Sequence, residues 1–159
     1  MSDKTLIFCG QMIKAYMSGI KTHTRRIVDK RYENWRIGDV VRFKEAFAVL
    51  SDNMCGPLSN IQPIVYMADT EDRQTIEDYR VVSPIFMPKW ASRIYGQIKE
   101  IRTDNLMNIT YEDVIAEGIR AETEDKAIQE YFDLFEKLNG VKPNPNIEVY
   151  VFGFNIDIK

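Results

Sequence analysis

The apolar residues of this chain fall into short runs of period two, interrupted by only a few helical stretches, and that order excludes most architectures. Thr5 to Cys9 reads as a first strand. Gly10 and Gly19 bracket a segment in which Met12, Ile13, Tyr16 and Met17 recur at helical spacing, with Gly19 placed to end the helix in a left-handed conformation. Trp35 to Asp39 is a turn opening a long strand, Val40 to Val49, with Val41, Phe43, Phe47 and Val49 on one face. Further strands are expected over Ile64 to Ala68 and Arg93 to Arg102, the second with a bulge or register change at Ile101. The final strand, Ile147 to Ile158, carries Tyr150, Phe152, Phe154 and Ile156 on one face.

Between these runs, residues 51–63 read as a loop and Asp69 to Glu77 as a polar excursion. Pro84 and Pro88 frame a short turn leading to Trp90. Thr110 to Asp113 has the pattern of a capping box opening a short helix that Gly118 must end. Lys126 to Leu138 is amphipathic, with Ile128, Tyr131, Phe132, Phe135 and Leu138 on its apolar stripe, and Asn139-Gly140 terminates it. Strands and helices do not alternate one for one, so the pattern points to an α+β fold, a small mixed barrel or sheet, and away from a βαβ architecture.

Composition sets the outer limits. A chain of 159 residues, 45% hydrophobic and 28% charged, suits one folded domain, here residues 1–159 with an excursion at about 50–80. No apolar run approaches the ~18 residues of a membrane span, and Met1 to Phe8 lacks the apolar region of a secretory signal. Cys9 and Cys55 make no disulfide framework and no CxxC pair, and His23 is the only histidine. The expectation is a reduced, cytoplasmic protein with no metal, no cofactor and no membrane partner. The formal charge of −3 is unpromising for a nucleic-acid binder, yet residues 14–44 hold nine lysines and arginines against three acids. That excess is either an anion-attracting surface or a solvated loop and strand edge, and charge alone leaves both open.

The densest chemistry lies in Gly19-Ile20-Lys21-Thr22-His23-Thr24-Arg25-Arg26. Extended, it places Thr22, Thr24 and Arg26 on one face and Lys21, His23 and Arg25 on the other. Such a loop can donate hydrogen bonds to a phosphate or a base edge, or hold a threonine nucleophile beside an amine. A polar loop at a strand edge is the plainer alternative. It is no Walker A loop, because the glycine-lysine spacing is wrong. Glu117 ends a short helix just before Gly118, where the negative end of the helix dipole disfavours an ionised carboxylate and, with burial, would suit proton transfer. Glu45 falls among apolar neighbours on its strand, so it must be paired, protonated or at a bulge. Trp90 suits either a core position or stacking on a base, and Arg93 either a phosphate contact or a pair with Glu45.

The Gly19 to Arg26 run resembles the GxKxxTxR signature of ASCH domains, a branch of the PUA-like superfamily. The likeness extends, in order, through Trp35 to Asp39, Val41 to Phe47, Met87 to Ile94, Leu106 to Thr110, Ala116 to Ile119 and Val149 to Phe152. It is nearest to a subgroup common in phages and prophages, with Phe135 and Tyr150 where that subgroup carries tryptophans. The resemblance implies a small β-barrel with flanking helices and a cleft suited to RNA or a modified nucleoside. It also implies that Lys21, Thr24 and Glu117 correspond to the lysine, threonine and glutamate of a metal-independent 4-acetylcytidine amidohydrolase. Arg25, Arg26, Glu45, Trp90 and Arg93 are the expected binding residues. A phage accessory protein acting on a host protein is a third expectation.

Overall fold

In the computed structural model, residues 3–50, 64–70 and 79–159 are described; the expected loop at 51–63, with Cys55, and most of the polar stretch after Asp69 lie outside them. The chain is a mixed α+β protein. It divides into two compact units, one formed by Met1–Met17, Val40–Gly96 and Ile156–Lys159, the other by Ser18–Asp39 and Gln97–Asn155.

In the first unit β1 (Thr5–Ile7) runs parallel to β3 (Val40–Lys44), with Leu6 opposite Phe43. Between them in sequence lies α1 (Gly10–Met17), whose Met12, Ile13 and Tyr16 are buried at the expected helical spacing. Phe8, Tyr16 and Phe43 pack with centroids 4.7–5.0 Å apart, Phe8 and Tyr16 edge to face and Phe43 tilted against both, contacts that add to their area burial. Gly19, in the second unit, follows the helix at φ 74°, as its position predicts.

The strand expected over Val40 to Val49 is two. β3 ends at Lys44, and β4 (Phe47–Leu50) belongs to a separate antiparallel sheet, between β5 (Ile64–Tyr66) and β6 (Tyr79–Val82). The break falls at Glu45-Ala46, where a buried carboxylate needs a partner that a continuous ladder would not offer. Phe47, Val49, Val82, Met87 and Ala91 form the core beneath this sheet. The face opposite Val41 and Phe43 faces solvent only in part: Val40 is exposed, but Arg42 is buried. Its guanidinium donates to Asp3 Oδ2 (2.5 Å), Ser92 Oγ (2.9 Å) and the Met87 carbonyl (3.2 Å).

In the second unit β8 (Glu148–Ile158) lies between β7 (Ile94–Asn105) and β2 (His23–Ile27). β2 pairs antiparallel to β8, with His23 opposite Gly153, Thr24 opposite Phe152 and Arg25 opposite Val151. Burial along β7 alternates through Ile98 and then stops, in keeping with the irregularity expected near Ile101. Two helices cover one face of β8. α2 (Tyr111–Ala116) opens with the predicted capping box, Thr110 Oγ1 accepting from Asp113 N and Asp113 Oδ2 from Thr110 N. α3 (Glu124–Asn139) is capped by Thr123 and ended by Gly140 at φ 68°. It buries Ala127, Tyr131 and Phe135 against Val149, Val151, Val114 and Leu106. Leu138, expected on this stripe, is exposed. The other face of β8 meets a cluster of Tyr32, Trp35, Tyr150 and Phe152 with centroids 5.0–6.0 Å apart. From Val149 to Phe154 the last strand is therefore covered on both faces, which its period-two pattern did not reveal.

Candidate functional site

In the second unit, strand pairing sets which motif residues meet. Residues directly opposite on an antiparallel pair share a face, so His23 and Arg25 stand with Gly153 and Val151 on the helix-covered side. Lys21, just ahead of the strand, turns to the same chemistry: its Nζ donates to Glu117 Oε2 at 2.6 Å and to the Glu117 main-chain carbonyl at 2.9 Å. Glu117 is the C-cap of α2, and Gly118 after it adopts φ 93°. The helix must end there because only glycine turns the chain left-handed at little cost. Thr22 N donates to Ala116 O at 2.8 Å, tying the motif to the end of that helix.

Arg25 completes the cluster. Its Nη2 lies 2.9 Å from Asp113 Oδ2 and its Nη1 3.5 Å from Glu117 Oε1, with the side chain 1% exposed. Neither contact has hydrogen-bond geometry, so the Arg25 nitrogens and Glu117 Oε1 are buried without a hydrogen-bond partner among the described residues. Asp113 serves twice, as the capping-box acceptor and as the anion between Arg25 and Arg102 Nη2 at 3.1 Å. Burial raises the Asp113 carboxyl, but the Thr110 amide and Arg25 outweigh it and hold it below the usual aspartate range. Tyr131 of α3 is buried nearby, and that burial, reinforced by the Glu117 charge, keeps its phenol protonated. Asp113 is the predicted cap and Tyr131 the predicted core residue; each is both that and a neighbour of Glu117.

Thr24 stands apart. It is buried opposite Phe152, on the face that carries the aromatic cluster, and so projects from the other side of the strand to Arg25. Arg26 shares Thr24's side of the pleat and is half-buried.

Glu45 and Arg93 meet in the first unit. Arg93 Nε and Nη2 donate to the two Glu45 oxygens at 2.8 and 3.1 Å, and Nη1 and Nη2 to the two Asp69 oxygens at 2.6 and 2.9 Å. The guanidinium lies 3.9 Å over the Tyr66 ring, and Tyr66 Oη donates to the Ala91 carbonyl at 2.8 Å. Burial raises the Glu45 carboxyl, partly offset by Arg93. Of the two partners open to Arg93, the structure takes the carboxylate. Trp90, on the 3₁₀ turn Lys89–Ala91, is 38% exposed and is not a core residue.

No protein-family model matches the sequence, and no curated protein matches it. The structure is similar to the crystal structure of protein EF3133 from Enterococcus faecalis V583, described as belonging to family DUF984, with a TM-score of 0.54 and 12% identity, covering 99% of this chain and 78% of that one. At that identity the likeness establishes a shared fold alone. Among the described residues there is no group of His, Cys, Asp and Glu able to hold a metal ion, and no helix is long and apolar enough to cross a membrane.

Proposed function

We propose that this chain is an ASCH-type, PUA-like barrel with flanking helices that binds RNA or a modified nucleoside beside the Gly19 to Arg26 motif. One observation carries the reading: Lys21 and Arg25, from the motif, converge on Glu117, 96 residues away from Lys21, in surroundings that leave Lys21 only 1% exposed. A buried ion pair returns little stability for the hydration it gives up, so its presence supports a role in recognition. Lys30, Arg31 and Arg36 are exposed in the same unit and suit phosphate contacts. In the first unit, taken by itself, the partly exposed Trp90 offers a face for stacking, and Glu45 and Arg93 are engaged with each other.

The test is titration of labelled single-stranded RNA and of 4-acetylcytidine at several salt concentrations. RNA affinity falls steeply with salt, the fall softens in Arg31→Ala/Arg36→Ala, and nucleoside binding is lost in Glu117→Gln. Salt-independent RNA binding together with unchanged nucleoside binding in Glu117→Gln overturns the proposal. A second reading, amide hydrolysis of an acylated cytidine, draws on the 2.6 Å Lys21–Glu117 contact. Thr24, on the far side of the pleat, weighs against that residue as its nucleophile. Release of acetate from 4-acetylcytidine, abolished in Lys21→Met, distinguishes the two.

A further inference from the structure

With Lys21, Thr24 and Arg25 buried, the half-exposed polar residues of the motif are Thr22, His23 and Arg26, and the first two are joined to a residue outside the motif. Thr22 Oγ1 lies 2.8 Å from His23 Nδ1, and His23 Nε2 lies 3.0 Å from Glu100 Oε2. Pleating begins at His23, so Thr22 is not forced to the opposite face and its hydroxyl can reach the ring. His23 and Glu100 come from strands on either side of β8 and meet over Gly153. A Cβ at that position would lie 2.7 Å from His23 Nε2 and 3.1 Å from Glu100 Cβ. Gly153 has no positive φ; what glycine supplies there is room for the His23–Glu100 contact, not a backbone conformation.

We propose that Thr22, His23 and Glu100 form a reactive hydroxyl–imidazole–carboxylate relay that transfers small acyl groups, a site separate from the Lys21–Glu117 cluster. An ionised carboxylate only accepts, so Nε2 must carry a hydrogen toward Glu100. In the neutral ring Nδ1 then holds the lone pair and accepts from the Thr22 hydroxyl, the direction a general base requires. Glu100 suits its place: first the His23 contact, and then Arg102, hold its carboxyl below the usual glutamate range. Arg102 Nε donates to Glu100 Oε1 at 3.1 Å, steadying the carboxylate.

The chemistry balances without a further reagent. Thr22 Oγ1 bonds to the acyl carbon of an ester as its proton passes to Nδ1, and the imidazolium returns that proton to the departing alkoxide. Water then attacks the threonyl ester, gives one proton to Nδ1, and releases the carboxylic acid as Oγ1 recovers its hydrogen. The threonine methyl group crowds the oxygen, so acetyl is favoured over bulky acyl groups.

The experiment treats the full chain with p-nitrophenyl acetate, follows nitrophenolate release, and maps acetylation by peptide mass spectrometry. The proposal expects a burst, with acetyl on the Thr22 peptide. Rates should fall about 100-fold in His23→Gln and clearly in Glu100→Gln, the burst should disappear in Thr22→Val, and Thr22→Ser should restore it. Acetyl groups confined to lysines, or a burst unchanged in Thr22→Val, overturn it. Because Thr22→Ser and Glu100→Gln alter little volume at half-exposed positions, a failed burst in them cannot be laid to unfolding if their thermal transitions match the parent. Nucleoside titration of the same preparations separates this proposal from the binding reading: retained binding with no burst refutes the relay alone.

Discussion

Replacing Lys21 with methionine tests whether the buried pair holds the second unit together. Methionine keeps most of the aliphatic stem and discards the charge. Glu117 Oε2 and the Glu117 carbonyl then lose donors at 2.6 and 2.9 Å, leaving the carboxylate with Arg25 Nη1 at 3.5 Å. Removing one member of a buried pair costs about 3–5 kcal/mol. The remaining arginine places this case at the lower end, about 3 kcal/mol. For a chain of this length that lowers Tm by about 6–12 °C. Changing both partners, Lys21→Met with Glu117→Leu, removes the stranded charge and recovers at least about 1 kcal/mol relative to the sum of the single changes. Thermal and urea unfolding are followed by circular dichroism and by the fluorescence of Trp35, which packs on Tyr32 and Phe152 in the same unit. A loss below about 1 kcal/mol for Lys21→Met, or strict additivity of the pair, would refute the claim that the ammonium is dehydrated and bound.

Gly153→Ala drives its new methyl into the His23 ring. The ring can swing away and alanine suits a strand better than glycine, so stability changes by no more than about 1 kcal/mol. The imidazole nitrogen resonances shift as Glu100 is lost, and unchanged resonances contradict this. Arg93→Lys breaks a fork that satisfies two carboxylates at once; it costs about 2 kcal/mol by urea denaturation, and a cost near zero shows the fork to be ornamental. Asp113, whose folded pKa is depressed, adds stability above its unfolded value that is lost as pH falls through the folded one. Stability below about pH 4 is accordingly less pH-dependent in Asp113→Asn than in the parent, as acid titration of Tm would reveal; parallel acid limbs count against the assignment.

Local signals were legible where one short stretch determines the outcome. The capping box at Thr110, the left-handed Gly19, the helix end at Gly140 and the helical spacing of Met12, Ile13 and Tyr16 all depend on neighbours within a turn. Glu45 could be marked as needing a partner because burial of a charge is costly wherever it happens. The partner's second anion, Asp69, and the resulting break between β3 and β4 depend on chain far away in sequence. The double burial of β8 escaped notice for the same reason: alternation records one apolar face, and the second is created by Tyr32 and Trp35, more than a hundred residues earlier. Glu117 could be singled out from its helix end, but Lys21 could be joined to it only by resemblance, and nothing in the sequence joined Arg25 to it. Glu100 carried no signal, since a glutamate on an alternating strand looks like any solvated residue until Gly153 is seen to clear its path to His23.

The first unit takes its final residues, Ile156–Lys159, from beyond the whole of the second. Lys159 N donates to Arg93 O at 2.7 Å, and the Lys159 ammonium sits 4.3 Å from the Tyr95 ring. During translation, every residue of the second unit leaves the ribosome before the first can be finished. Vectorial synthesis thus inverts the usual N-terminal-first order of assembly. A nascent chain arrested at Asn155 would expose an incomplete early portion to proteases beside a later portion with all of its residues in hand.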